Sequence, residues 1–83
     1  MSELLQLKVQ YFAVFREQRG LAEESLAISA ATPGELYAQL RTRHGFTLAS
    51  EMVRAAVNGS FAPMDHRLAS GDTVVFIPPV AGG

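Results

Sequence analysis

The last predicted strand of the chain restricts its fold more than any other segment. Thr73 to Ile77 is apolar on both faces, as expected for a strand in the middle of a sheet. Pro78 and Pro79 follow, and they end the strand because proline has no backbone N–H to donate to a neighbouring strand. The sequence therefore predicts a fold in which the final strand is central and the earlier segments pair around it.

The earlier segments supply the other strands. Residues 5–11 alternate between apolar and polar side chains, which predicts a half-buried strand. Residues 25–29 alternate in the same way and predict its hairpin partner. Residues 53–58 predict a third strand that runs into Asn58-Gly59, a strong hairpin signal. A short strand is expected between that turn and the final strand.

One amphipathic helix is predicted from Pro33 to His44. Thr32 is its N-cap, Glu35 completes a capping box, and Gly45 ends the helix. Three apolar residues share one side at helical spacing: Leu36, Tyr37 and Leu40. The sequence thus offers a single long helix to cover a sheet.

Two segments are less regular. Residues 13–19 predict a short helical turn, which Gly20 ends. Residues 46–52 fit a loop, a short helix or a strand, and the three alternatives stay open.

This order of elements predicts an α+β fold, with a small mixed sheet packed on one main helix. If the first and last strands lie side by side and parallel in the middle, the fold is a ubiquitin-like β-grasp. We assign residues 1–79 to this domain and residues 80–83 to a flexible C-terminal tail that projects from it.

The tail has the sequence Val80-Ala81-Gly82-Gly83 and carries no charged side chain. Four extended residues, at roughly 3.3 Å each, reach on the order of 13 Å. Glycine has no Cβ, so a Gly-Gly end passes through a channel too narrow for other residues. We predict the α-carboxylate of Gly83 as the reacting group, and Val80, Ala81 and Gly82 as the part that threads a partner's active site. An inert, frayed terminus is the alternative.

Composition excludes several classes of function. A chain of 83 residues can bury one small core but hardly a deep substrate cleft as well, which disfavours a self-sufficient enzyme. The absence of cysteine excludes disulfides, cysteine metal sites and thiol nucleophiles on this chain. A net charge of −1 with no basic cluster gives no footprint for nucleic acid. No signal peptide or membrane-length apolar run is present, so we expect a cytoplasmic location and no membrane partner.

Three polar residues merit separate consideration, and each has a structural interpretation that we favour. His44 lies at the end of the predicted helix, where a cation complements the helix dipole. His66 lies in a turn beside Asp65 without a third partner, and Asp72 is expected to bond local backbone amides. There is no phosphate loop, nucleophile elbow or cluster of metal ligands. We therefore predict no active site and no metal on this chain.

Phe12, Phe61 and Ile77 indicate a docking surface. Phe12 falls in the polar phase if the first strand continues through it, Phe61 follows a turn, and Ile77 lies just before the tail. On one exposed face they would form an apolar patch that, with Pro78 and Pro79, docks a partner. The alternative is that Phe61 folds over the edge of the core and Ile77 is internal.

The most specific run of residues is Phe76-Ile77-Pro78-Pro79-Val80-Ala81-Gly82-Gly83, preceded by Gly71-Asp72. Weaker matches precede it: Tyr11-Phe12-Ala13, Arg16-Glu17, Gly20, Thr32, Glu35-Leu36, Ala56-Val57-Asn58 and Leu68. Together they resemble the small-subunit family of molybdopterin synthase, a family of β-grasp sulfur carriers. Position 77 departs from that family, which often has an aromatic residue there.

The resemblance implies a cycle in molybdenum cofactor biosynthesis. An ATP-dependent activating enzyme forms an acyl-AMP on Gly83, and a sulfur donor protein converts it into a thiocarboxylate. The tail then enters the large subunit and gives its sulfur to cyclic pyranopterin monophosphate, which forms the molybdopterin dithiolene. The chain would be a non-catalytic subunit of a heterotetramer, with no bound cofactor beyond these transient groups.

Three alternatives remain open. A sulfur carrier for thiamine thiazole or thiolated nucleosides would share the fold and the Gly-Gly end. A ubiquitin-like protein modifier would join Gly83 to lysines of its targets. A plain interaction domain would carry an inert tail.

Overall fold

The final strand occupies the centre of a five-stranded sheet in the computed structural model, which describes residues 4–79. The strands are β1 (Leu5–Tyr11), β2 (Glu23–Ile28), β3 (Arg54–Val57), β4 (Ser60–Ala62) and β5 (Thr73–Ile77). Their order is β2-β1-β5-β3-β4, with β1 and β5 parallel and the other neighbours antiparallel. The predicted mixed sheet with adjacent, parallel first and last strands is thus confirmed.

Two helices accompany the sheet, α1 (Val14–Arg19) and α2 (Pro33–His44). The Thr32 side chain accepts a hydrogen bond from the Glu35 amide at 3.1 Å, which confirms the N-cap. The Glu35 carboxylate reaches the amide of Ala31 at 3.2 Å, one residue before the partner that a capping box uses. Gly45, at φ 70°, ends α2 in the left-handed conformation that glycine adopts without strain.

One face of the sheet, called here the covered face, packs against α2. Leu36, Tyr37 and Leu40 of the helix are fully buried against it, as are Val74 and Phe76 of β5. Phe15, Tyr37, Phe46 and Phe76 meet edge to face or stacked, at centroid distances of 5.2 to 6.0 Å. Burial of this aromatic cluster stabilises the domain through the apolar area that it removes from water and through the contacts between the rings.

The opposite face, called here the open face, has no second layer among the described residues. β5 alternates between fully buried and half-buried residues, so Val75 and Ile77 remain partly accessible. The apolar residues on both sides of β5 correctly predicted its central position, although only one of its faces is covered.

Two local predictions needed adjustment. β2 begins at Glu23, two residues earlier than predicted, because the Glu24 side chain is satisfied on the covered side by Tyr11 and Arg19. Residues 46–52 are mainly loop, with a 3₁₀ turn at Ser50–Met52. Phe46 within this segment is buried in the aromatic cluster.

The start of β5 is held by a network around the Asn58-Gly59 turn. The Asp72 carboxylate accepts hydrogen bonds from the Ala69 amide at 2.8 Å and from Asn58 Nδ2 at 2.9 Å. Asn58 Oδ1 in turn accepts from the Thr73 amide at 2.9 Å. The Ala69 bond, followed by that from Asn58, lowers the pKa of Asp72. This geometry confirms the predicted local role of Asp72.

Candidate functional site

The register of the sheet gathers apolar side chains on the open face. Ala56 of β3 pairs with Val75 of β5 on one side and with Phe61 of β4 on the other. Directly paired residues point to the same face of a sheet, so these three form a row across it. Ile77 lies two residues beyond Val75 and points the same way. We call Ala56, Phe61, Val75 and Ile77 the open-face band.

The band is accessible to a partner. The Phe61 side chain is 70% exposed, and the other three members are half-buried. Phe61 does not fold over the core edge, which removes the alternative considered for it. Sequence reasoning had not singled out Ala56 and Val75, although both lie in the outward phase of their strands. Docking at Phe61 and Ile77 stays a prediction.

Phe12 lies at the same end of the sheet as Ile77, but it is not part of a strand. β1 ends at Tyr11, so strand alternation does not assign Phe12 to the open face. Its carbonyl accepts a hydrogen bond from the Phe15 amide at 3.0 Å, at the entry to α1. Tyr11 of β1 pairs with Phe76 of β5. Phe12 and Ile77 are the next residues of these two parallel segments, so they start from neighbouring positions. The Phe12 side chain is 53% exposed, and its docking role stays a prediction.

The root of the tail lies beside a shallow groove. Pro78 is half-buried and Pro79 is exposed where the chain leaves β5. Both prolines line the groove together with Ala13, Val14, Thr47 and Leu48. The threading residues Val80, Ala81 and Gly82 and the reacting Gly83 lie outside the described residues, so their roles stay predictions.

A polar cluster at the same end of the sheet ties α1 to the first two strands. Arg19 forms a two-pronged pair with the Glu24 carboxylate at 2.8 and 2.9 Å, and the Tyr11 hydroxyl donates to Glu24 at 2.6 Å. The bond from Arg19 lowers the pKa of Glu24. Burial, followed by the Glu24 bond, raises the pKa of Tyr11, so the phenol stays protonated. Each of these side chains is hydrogen-bonded to another member of the cluster, so we assign the cluster a structural role.

The two histidines do not form a catalytic site with other described residues. His44 is the last residue of α2, as predicted, and its ring packs 5.7 Å from that of Phe46. Partial burial, followed by Arg19, lowers the pKa of His44, so the expected cation at the helix end is a neutral imidazole near pH 7. His66 is exposed in a turn.

The described residues bring few chemical groups together. Between residues 4 and 79, no three His, Asp or Glu side chains are placed to hold a metal ion. Nor does any helix in that range have the length and apolar character needed to cross a membrane. Two accessible features of these residues are the open-face band and the root of the tail.

Comparison with known proteins connects these features to a family. The model of the ThiS family matches residues 9–83. The chain is 35% identical to the molybdopterin synthase sulfur carrier subunit of Escherichia coli K12 over 80 residues, which cover 93% of this chain and 99% of that protein.

Solved structures agree with the sequence match. A putative molybdopterin converting factor subunit 1 from Pyrococcus furiosus is 31% identical, with a TM-score of 0.74 over 92% of this chain and 99% of that one. A complex of subunits 1 and 2 of the molybdopterin-converting factor from Helicobacter pylori contains a chain that is 26% identical. It has a TM-score of 0.63 over 95% of this chain and all of that one.

The same fold occurs under other names. Small archaeal modifier protein 1 from Haloferax volcanii has a TM-score of 0.73 over 94% of this chain and 99% of that one, at 24% identity. At that identity the likeness shows the fold alone. The fold is therefore the predicted ubiquitin-like β-grasp.

Proposed function

The chain belongs to the ThiS family, and on this premise we propose that it is the sulfur carrier subunit of a molybdopterin synthase. The observation that carries the proposal is the 35% sequence identity between this chain and the Escherichia coli sulfur carrier subunit, in a match that covers 99% of that protein. The run Pro78-Pro79-Val80-Ala81-Gly82-Gly83 supports it, because its end suits a group that must enter another protein's active site.

Gly83 is the reacting residue in this proposal. Its carboxylate attacks the α-phosphorus of ATP on the activating enzyme, pyrophosphate leaves, and an acyl-AMP remains. Hydrosulfide supplied by the donor protein then attacks the acyl carbon, the bond to AMP breaks, and a thiocarboxylate remains. Adenylation is needed because a carboxylate oxygen is a poor leaving group, whereas AMP is a good one.

The composition of the chain suits a carrier. The tail has no lysine to attack the activated acyl group within the chain, and Lys8 is the only lysine in the sequence. No cysteine competes for the sulfur. The central position of β5 also suits a carrier, because a tail that leaves this strand starts from a fixed position.

The catalytic groups belong to the partners in this proposal. The large subunit supplies the site where the thiocarboxylate gives its sulfur to cyclic pyranopterin monophosphate, and two small and two large subunits form the heterotetramer. The Helicobacter pylori complex of subunits 1 and 2 supports such a partnership. Phe61 and Ile77, with Phe12, Pro78 and Pro79, are the proposed docking residues. We assign the whole cycle to the cytoplasm.

The test is to load the chain with sulfur and locate the change. The purified chain is incubated with the activating enzyme, ATP and a sulfur donor, and its intact mass is measured with fragmentation. The expected result is the replacement of one oxygen by one sulfur at Gly83, reversed on addition of the large subunit and cyclic pyranopterin monophosphate. A chain lacking Gly82 and Gly83 is the control. Unchanged mass with an activating enzyme that loads another carrier would contradict the proposal.

A protein modifier is the second candidate, and the fold shared with the archaeal modifier protein is the observation that favours it. Both functions begin with the same activated carboxylate, so only the products differ. A modifier yields conjugates of higher mass, joined from Gly83 to lysines of other proteins. A sulfur carrier yields the free chain with a thiocarboxylate. Conjugates that persist after reduction, with no thiocarboxylate on the free chain, would favour the modifier.

A further inference from the structure

Arg54 borders the open-face band. It is the first residue of β3, and its register partner on β5 is Ile77, so its side chain leaves the sheet on the open face. Ala56, the next outward residue of β3, belongs to the band. An exposed guanidinium therefore lies next to the apolar side chains of the band.

The charge of Arg54 is not used within the described part of the fold. The two ion pairs among residues 4–79 are Lys8–Glu23 and Arg19–Glu24. The side-chain hydrogen bonds in the same range include none to the Arg54 guanidinium. By contrast, Arg41, another arginine near the core, donates to the Phe46 carbonyl at 3.1 Å.

A groove beside Arg54 also combines this one charge with apolar side chains. It has a volume of about 380 Å³ and lies where β3 and β4 separate, because Pro63 follows β4 and has no N–H to extend the pairing. Arg54 is the one charged residue that lines it, and the others are apolar, including Phe61 and Met64. A side chain from a partner that enters the groove would pass the guanidinium.

Burial of the band and burial of Arg54 are inseparable for this reason. A partner that covers Phe61 and Ile77 also removes water from Arg54, and a guanidinium buried without a partner is strongly unfavourable. A carboxylate on the partner replaces the lost bonds to water, because it accepts two parallel hydrogen bonds from the guanidinium. We propose that the surface of the large subunit that docks on the open face presents a carboxylate to Arg54 from an apolar surround.

This inference rests on the proposed function, which supplies the identity of the partner, and it adds the chemistry of the contact. An apolar partner and an acidic one predict opposite effects of Arg54→Leu. Leucine extends the open-face band, so a purely apolar partner surface would bind the variant more tightly. A partner carboxylate would lose its counter-charge and remain buried, which weakens binding.

The experiment measures the affinity of the full-length chain for the purified large subunit by calorimetry at several salt concentrations. We expect Arg54→Leu to weaken binding about tenfold or more at low salt, and to reduce its salt dependence. Arg54→Lys, which keeps the charge but loses the fork, is expected to fall between the two. Unchanged or tighter binding of Arg54→Leu would overturn the proposal.

Two controls make the result specific. Arg67→Leu removes the same charge from an exposed loop next to the buried Leu68, away from the open face, and is expected to bind as the wild type does. The Arg54→Leu effect is measured again in a chain without Gly82 and Gly83. Its disappearance there would assign the counter-charge to the chain's own terminus and overturn the proposal.

The same proteins separate this inference from the proposed function. Sulfur loading of Gly83, read by mass, depends on the activating enzyme and tests the carrier cycle. Normal loading with tighter binding of Arg54→Leu would overturn only the proposal that the partner presents a carboxylate. No loading and no binding of the wild-type chain would remove the carrier function, and this inference with it.

Discussion

The two faces of β5 differ although their residues are similarly apolar. Val74 and Phe76 point to the covered face and are fully buried under α2. Val75 and Ile77 point to the open face, where they remain half-buried without a covering layer among the described residues. The same five-residue strand thus contributes to a finished core on one side and to an unfinished surface on the other.

This difference separates stability from recognition. The covered face has its interactions within the chain, so it holds β5 in place whether or not a partner is present. The open face still exposes apolar area, and exposed apolar patches on small proteins mark sites of interaction. Substitutions on the covered face should therefore unfold the protein, and those on the open face should weaken association.

The largest effect is expected at Phe76. Phe76→Ala removes a fully buried ring that packs 5.4 Å from Tyr37, and we expect it to lower the free energy of unfolding by about 3–5 kcal/mol. The measurement is urea denaturation followed by circular dichroism. Ile77→Ala, one residue further and half-buried, is the matched control and should cost much less. Equal losses at the two positions would contradict the distinction between the faces.

A smaller effect of the opposite kind is expected at Phe61. Phe61→Ala truncates a 70% exposed ring, so the free energy of unfolding should change by less than about 0.5 kcal/mol. Binding to the large subunit should weaken by about 1–2 kcal/mol, the range of a significant interface residue. Leu4, 63% exposed just before β1, supplies the control Leu4→Ala, which should leave binding intact. If the two variants bind alike, the band is not the docking site.

The smallest effect concerns the turn network that starts β5. The Ala69 and Asn58 bonds hold the folded-state pKa of Asp72 below its ordinary value of 3.8, so its carboxylate stabilises the fold above that value. This contribution is lost as the pH falls through the lowered pKa. Asp72→Asn should cost about 1 kcal/mol near pH 7, and the gap should close in acid.

Urea denaturation at a series of pH values measures that gap. Asp65→Asn, in an exposed turn, makes the same chemical change away from the network and should leave the stability profile nearly unchanged. A gap between Asp72→Asn and the wild type that is constant with pH would show that the charge of Asp72 is not what the network uses.

Sequence patterns predicted most of the scaffold because its elements carry strong local signals. Alternation defined β1, the Thr32 cap and Gly45 defined α2, and Asn58-Gly59 defined the β3–β4 hairpin. The apolar β5 followed by two prolines predicted a central last strand. Each of these signals lies within a few residues of the structure that it determines.

The remainder depended on contacts between distant residues. Glu24 looks like a solvent-exposed residue in the sequence, and only its bonds to Tyr11 and Arg19 explain why β2 extends to it. Phe46 follows no periodic pattern, yet it packs in the core. Arg54 lies in the predicted third strand, but its position opposite Ile77 required the register of β5 against β3.

The distinction between the two faces is tested most directly by the two isoleucines of the chain, Ile28 and Ile77. Ile28 is 1% exposed in the core, and Ile77 lies on the open face. With their δ1 methyl groups labelled with ¹³C in a deuterated chain, NMR spectra are recorded as unlabelled large subunit is added. We predict that the Ile77 methyl signal shifts strongly and the Ile28 signal shifts little. A shift at Ile28 with none at Ile77 would contradict the account.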